Sequence, residues 1–209
     1  MSPNPSSRAD VSPADIRLDQ LVWLVPPSVA AVVQGTTITI TADAHTDWFR
    51  DPRGAMPVAN APLALLPELA LPVVLTARVR MVGDATFDAG ALYVLHDEQH
   101  WLKFALERSP QGRLTLVSVR TQGTSDDANH AAIDDNSWWL RIAVDERSVA
   151  LHASADGMVW HLMRYGTRLA PSPPRLGLSA QSPTGPGMTA TFSEVRVEQR
   201  RLAELRDGS

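Results

Sequence analysis

Three side chains at alternate positions of one short segment give the first hint of chemistry. In Trp101-Leu102-Lys103-Phe104-Ala105-Leu106-Glu107 the odd positions hold Trp, Lys, Ala and Glu, and the even positions hold Leu, Phe and Leu. A period of two turns the leucines and the phenylalanine toward a core. It turns the indole, the ammonium and the carboxylate to the other side. Residues 138–144 repeat the pattern, with the apolar set at 138, 140, 142 and 144 inward and Trp139 and Arg141 outward. The same rule turns His152 outward in residues 149–154. If these strands are neighbours, one face gathers Trp101, Lys103, Glu107, Trp139, Arg141 and His152. Indoles stack on sugar rings, and charged groups bond hydroxyls, so the set is a candidate ligand-binding site for a saccharide or sugar phosphate. The alternative is a solvated sheet face laced with cross-strand ion pairs.

Other chemistries find less support. A glycosidase needs two carboxylates facing one bond. The alternation Lys103, Ala105, Glu107 supplies one, and Asp97 and Glu98 read as solvated turn residues. No catalytic residue is therefore assigned. Ser125-Asp126-Asp127-Ala128-Asn129 and Asp134-Asp135-Asn136 offer oxygen ligands suited to calcium, but without the spacing or central glycine of an EF-hand loop. The six histidines are scattered, and no HExxH-type spacing occurs. No metal and no cofactor is expected. Ser154-Ala155-Asp156-Gly157 with Trp160 reads as a structural hairpin, with the indole locking it onto the core. Neither a phosphate loop nor a GxSxG nucleophile motif is present.

The elements that must position these residues are short strands. Residues 36–41 alternate Thr and Ile after a glycine, a strong strand pattern. Residues 73–82, 113–121, 138–144, 148–154, 159–164, 175–180 and 188–199 read as further strands, beside the pair within 88–107. Residues 53–68, rich in Pro and Ala, and the polar acidic stretch 122–136 read as loops. About a dozen strands with turn signals between them predict an all-β sandwich or barrel, not βαβ units. Residues 1–14, rich in Pro and Ser, are expected to be disordered, residues 15–199 to form one domain, and residues 200–209 a charged tail with a short helix.

Bulk properties exclude some partners. The chain has 209 residues, a formal net charge of -4 and no cysteine. Negative charge argues against nucleic acid, and the lack of cysteine excludes disulfides and thiolate metal sites. The N-terminal stretch has no apolar core of a signal peptide, and no run is long enough to span a membrane. A cytoplasmic protein without membrane attachment is expected.

With these residues in place, the chain resembles a family of unknown function often labelled "regulation of enolase protein", with a concanavalin A-like lectin/glucanase fold. The resemblance rests on an ordered series. It begins with Asp47-Trp48-Phe49-Arg50 and Asp88-Ala89-Gly90-Ala91-Leu92, then His100-Trp101-Leu102-Lys103-Phe104 with Glu107 and Ser118 to Ser125-Asp126. Trp139-Leu140-Arg141, the Ser154 hairpin with Trp160, Gly177-Leu178 and Phe192-Ser193-Glu194-Val195-Arg196-Val197 complete it, over roughly residues 20–198. It implies a jelly-roll β-sandwich of two curved antiparallel sheets, with Trp101, Lys103, Glu107 and Arg141 on the concave face. It implies no established activity. Asp127 follows Asp126 where similar proteins often carry an aromatic residue; where that aromatic lines the groove, its absence here weakens ligand binding through this loop. The expected function is a non-catalytic binding protein for a carbohydrate or similar polyhydroxylated ligand. The alternative is a protein-interaction module regulating a metabolic enzyme. A glycoside hydrolase or lyase using Glu107 is the least favoured reading.

Overall fold

The computed structural model describes residues 18–209, so the expected disordered segment 1–14 lies outside the described residues. After a 3-10 turn at Leu18–Gln20 the chain forms β1 (Val22–Val25), β2 (Val32–Gln34), β3 (Thr37–Asp43), β4 (Trp48–Phe49), β5 (Val58–Ala59) and β6 (Leu63–Leu65). It continues with β7 (Val73–Val82), β8 (Ala89–Asp97), β9 (His100–Arg108), β10 (Leu114–Gln122) and β11 (Thr124–Ile133). The last five are β12 (Ser137–Val144), β13 (Ser148–Ser154), β14 (His161–Thr167), β15 (Arg175–Gln181) and β16 (Gly187–Glu198). Two seven-stranded antiparallel sheets result. Sheet I has the order β1-β6-β15-β8-β9-β10-β11, and sheet II the order β14-β13-β12-β7-β16-β3-β2. A separate ribbon pairs β4 with β5. The architecture is the expected all-β, jelly-roll-like sandwich.

Alternation builds the core. Ile38 and Ile40 of β3, Val79 of β7, Phe104 and Leu106 of β9, and Leu140 and Ile142 of β12 meet between the sheets, all at 0 or 1 % exposure. The threonines that alternate with the isoleucines face outward and pair across strands, Thr39 with Thr191 and Thr41 with Thr189, each at 3.2 Å. A second apolar cluster lies on the outer face of sheet I. Trp48, Leu63, Leu65, Ala91, Tyr93, Trp101, Ala105 and Val119 belong to it. The chain from Asp47 to Ala61 folds over that face, so residues that point away from the main core are buried there too.

Three expectations need correction. Residues 122–136 are not a loop: β11 occupies most of them, turning back from β10 through Gly123 at φ 77°. It is an edge strand bonded on one side only, so water solvates its polar residues and no apolar period marks it. Residues 53–68 likewise hold β5 and the inner strand β6, whose Leu63, Ala64 and Leu65 are all buried. Residues 200–209 contain turns and no helix. They lie on sheet II, with Leu202 packed against Val74 and Ala143. Among the described residues no helix is long and apolar enough to cross a membrane.

Candidate functional site

The register of sheet I sets its outer face in rows. One row runs from Asp127 on β11 through Val119 and Lys103 to Tyr93 on β8. Two residues along, Val117, Ala105, Ala91 and Ser179 form a row of smaller side chains. The next row is Thr115, Glu107, Ala89 and Gln181. Lys103 and Glu107 thus flank Ala105 on one face of one strand. Between them opens a cavity of about 120 Å³, lined by Asp47, Phe49, Phe87, Lys103, Glu107, Val119, Asp127 and Gln181.

The segment Asp47-Trp48-Phe49-Arg50 forms one wall, and each of its residues has a distinct task. Asp47 accepts a hydrogen bond from Lys103 Nζ at 3.3 Å. Trp48 donates Nε1 to the Ala61 carbonyl at 2.9 Å and meets Tyr93 and Trp101 edge-on, both at 6.3 Å between centroids. Phe49 faces the cavity. Arg50 Nε donates to the Gly123 carbonyl at 2.9 Å, the Ser125 amide donates to the Arg50 carbonyl at 2.9 Å and the Arg50 amide to Ser125 Oγ at 3.0 Å, which ties the segment to the β10–β11 turn. Phe87 also lines the cavity. It holds φ 70°, a left-handed conformation that costs a bulky residue on the order of 1–3 kcal/mol. Gln181 Nε2 donates to its carbonyl at 3.3 Å, and its own amide donates to the Arg108 carbonyl at 2.7 Å.

The two charges of β9 live in different circumstances. Lys103, 2 % exposed, spends its three protons on Asp47, the Trp48 carbonyl at 3.0 Å and Gln181 Oε1 at 2.9 Å. Burial alone would lower its pKa, but Asp47 and the other negative groups outweigh that and hold it above its ordinary value. Glu107 is 8 % exposed, and its carboxyl makes no hydrogen bond or ion pair among the described residues. Burial pushes it up to about 7, with Asp47 and Asp127 adding to the rise and Lys103 opposing it. Asp127, more exposed at the mouth, is also raised, by partial burial and by Asp47, again against Lys103. The lining therefore carries three carboxyl groups and one lysine that is already committed. The face of β9 supplies one carboxylate, Glu107, as the alternation predicts, and Asp47 and Asp127 join it in the lining from other segments. Among the described residues no group of three or more such side chains is arranged to hold a metal ion.

The six residues singled out in the sequence do not share a face. Trp101, Lys103 and Glu107 lie on the outer face of sheet I, while Trp139, Arg141 and His152 lie on the outer face of sheet II. Arg141 is thus absent from the face on which the resemblance placed it. Alternation reports which side of its own strand a residue takes, not which sheet the strand joins. Nor is either outer face open at these points. Trp101 is 1 % exposed beneath Trp48 and Tyr93. Residues 202–209 cover Arg141 and His152. Arg141 Nη1 donates to the Gly208 carbonyl at 2.6 Å, and His152 Nε2 to the Leu205 carbonyl at 2.7 Å. The Arg141 guanidinium stacks on Trp160 at 3.6 Å, so Trp160 sits on this outer face and does not lock the hairpin into the core. The hairpin itself is structural, with Ser154 Oγ donating to Asp156 at 2.9 Å and accepting from the Gly157 amide. Trp139 lies under Gly157, where its indole, 2.9 Å from the position of a Cβ, leaves no room for a side chain and the φ of 75° also favours glycine.

Sequence reasoning missed Asp47, Phe49, Phe87, Asp127 and Gln181 as lining residues. Asp47 and Phe49 stood in the Asp-Trp-Phe-Arg motif, a usable signal. Asp127 lies in the polar stretch whose composition predicts a loop, and nothing local marks Phe87 or Gln181.

The sequence profile described as "Protein of unknown function (DUF1349)" matches residues 23–200. The chain belongs to this family. A relative in Saccharomyces cerevisiae, "Regulation of enolase protein 1", is 31 % identical over 193 residues, spanning 88 % of this chain and 92 % of that one. The crystal structure of a functionally unknown protein from Saccharomyces cerevisiae superposes with a TM-score of 0.80 at 26 % identity, covering 88 % of this chain and 98 % of the other. The legume lectin-like domain of Entamoeba histolytica superposes with a TM-score of 0.56 at 9 % identity, over 88 % and 92 % of the two chains. That likeness confirms that the DUF1349 chain has a lectin-like sandwich fold.

Proposed function

We propose that this protein is a non-catalytic binding module that takes a polyhydroxylated small molecule of the saccharide class in the cavity on the outer face of sheet I. The observation that carries the reading is Glu107, a largely buried residue whose carboxyl has no partner among the described residues and opens on a cavity it shares with Asp47, Lys103, Asp127 and Gln181. A carboxyl that the fold leaves unpaired on a cavity wall is a group that a ligand's donors can complete. Hydroxyl donors suit Glu107 and Asp127, while Phe49 and Phe87 offer apolar faces. Trp101 supports the site from beneath, as the ring against which Trp48 packs. The lectin-like fold is consistent with this class of ligand. A sugar phosphate is disfavoured, because the lining carries more carboxyl groups than cations. With about 120 Å³ against the ~300 Å³ at the low end of ordinary ligand pockets, the cavity accepts a head group of the ligand, not the whole. Hydrolysis is not proposed, since so small a space cannot admit a glycosidic bond with both of its sugars. Titration calorimetry with a panel of mono- and oligosaccharides tests the reading. Saturable binding abolished in Glu107→Ala supports it, and a folded protein silent across the panel refutes it.

A second reading, a protein-binding module, has two observations in its favour. One is the name of the yeast relative, "Regulation of enolase protein 1". The other is the exposed apolar set Val22, Leu24, Val32 and Val33 on the edge strands β1 and β2. Titration with purified enolase from the same organism decides it. Binding lost in Val32→Asp would favour this reading, and no binding would end it. A cytoplasmic setting belongs to the same proposal, consistent with a chain free of cysteine.

A further inference from the structure

Resting on the small-molecule reading above, the geometry points to the chemical class of the occupant: we propose that the cavity takes the ammonium group of a hydroxylated primary amine, an amino sugar or a close analogue, held between Glu107 and Asp127. Four observations carry this. First, the cation in the lining is spent. Lys103 has three protons and three acceptors in place, so it has none to offer an anionic ligand. Second, its charge is already balanced by Asp47 at 3.3 Å. Glu107 and Asp127 remain as negative groups on the lining without a bonded cation. Asp126, next to Asp127, faces Arg164 only at 3.9 Å. Third, Phe49 and Phe87 line the same space, and aromatic faces attract an ammonium as well as an apolar ring edge. Fourth, a compact –NH3 group fits the small volume, and its three N–H donors match a carboxylate that has no donor.

Binding then links to a proton. Glu107 feels burial first, then Lys103, Asp47 and Asp127, and the result holds part of its population protonated near neutrality. An ammonium placed beside it favours the ionised form, so the carboxyl O–H proton leaves for the buffer as the charge-assisted hydrogen bond forms. A neutral sugar does not demand that release.

The experiment is titration calorimetry of the whole chain at pH 7 with two matched pairs: glucosamine against glucose, and galactosamine against galactose. Each is run in two buffers of different ionisation enthalpy. The amino member of at least one pair is expected to bind roughly ten-fold tighter or better than its neutral partner. Its heat is expected to depend on the buffer, and the preference to shrink as salt rises. Glu107→Gln should erase both the preference and the buffer dependence. Should that variant fail to fold, Asp127→Asn, at the exposed mouth, is expected to reduce the preference. Equal or tighter binding of the neutral members overturns the ammonium inference and leaves the saccharide reading standing. Silence from all four sugars, from a protein shown to be folded, overturns both.

Discussion

Replacing Glu107 by glutamine keeps the shape of the side chain and removes its charge. The wild-type carboxyl is pushed from 4.5 up to about 7 by burial, with Asp47 and Asp127 adding and Lys103 opposing. A raised value means that the folded chain holds this proton more tightly than the unfolded chain. The associated stability is complete below about pH 4.5 and is lost as pH rises through about 7. At ~1.4 kcal/mol per pH unit across that interval, the loss is about 3 kcal/mol. For a domain of this size that corresponds to roughly 6–12 °C in Tm. Other carboxyls tilt the curve the opposite way. At Asp145 burial is outweighed by hydrogen bonds from the Arg147 and Ser148 amides, so its contribution disappears as pH falls. The informative quantity is therefore the difference between wild type and Glu107→Gln. The two should be nearly equal near pH 4.5, and the variant should be more stable by about 3 kcal/mol at pH 8. Urea unfolding followed by tryptophan fluorescence at five pH values measures it. Parallel curves, with no gap opening between pH 5 and 8, would refute the claim that Glu107 is a buried carboxyl without a partner.

Three further perturbations have signs set by the geometry. Lys103→Met strands Asp47, the Trp48 carbonyl and Gln181 without their shared donor, and is expected to cost roughly 3–5 kcal/mol in the same urea assay; a cost below ~1 kcal/mol would show that the network is not the clamp described. Trp48→Ala removes an indole that is 2 % exposed and wedged against Tyr93 and Trp101, with an expected loss of roughly 3–5 kcal/mol and of near-ultraviolet circular dichroism. Ending the chain at Arg201 uncovers Arg141 and His152. Since burial, opposed by the bond to Leu205 and assisted by Arg141, holds His152 below its ordinary value, its NMR titration midpoint should move up in the shortened chain. An unchanged midpoint would mean that residues 202–209 do not seal this face.

The sandwich was legible where one face of a strand is dry and the other wet. β3 shows this in its Thr–Ile alternation and β7 in its Val–Arg alternation, and both appear where the pattern puts them. Legibility failed where that contrast vanishes. β6 is buried on both sides and only three residues long, and β11 is a polar edge. At the site, the alternation in β9 correctly turned Trp101, Lys103 and Glu107 away from the main core. What it could not carry is that outward means buried here, because the cover comes from residues 47–61, far off in sequence. Asp47 meets Lys103 across 56 positions. Sheet membership is equally non-local. β9 and β12 show the same local pattern and stand in opposite sheets, so Trp139 and Arg141 never reach Glu107.

The contrast within β9 bears on purpose. Lys103 and Glu107 are four residues apart on one face, and both are buried, yet the fold completes one and leaves the other open. A structural role explains Lys103, since it ties Asp47, the Trp48 backbone and Gln181 into one clamp. It does not explain Glu107, where glutamine would fill the same space without a buried charge. Natural sites often hold such a local loss of stability because activity requires it. The two measurements on Glu107→Gln therefore belong together. A variant that is more stable at pH 8 and blind to amino sugars would identify Glu107 as a residue kept for its ligand. A variant that is more stable and binds as before would leave the carboxylate without a purpose in this cavity, and would shift the search for function to the apolar edge strands β1 and β2.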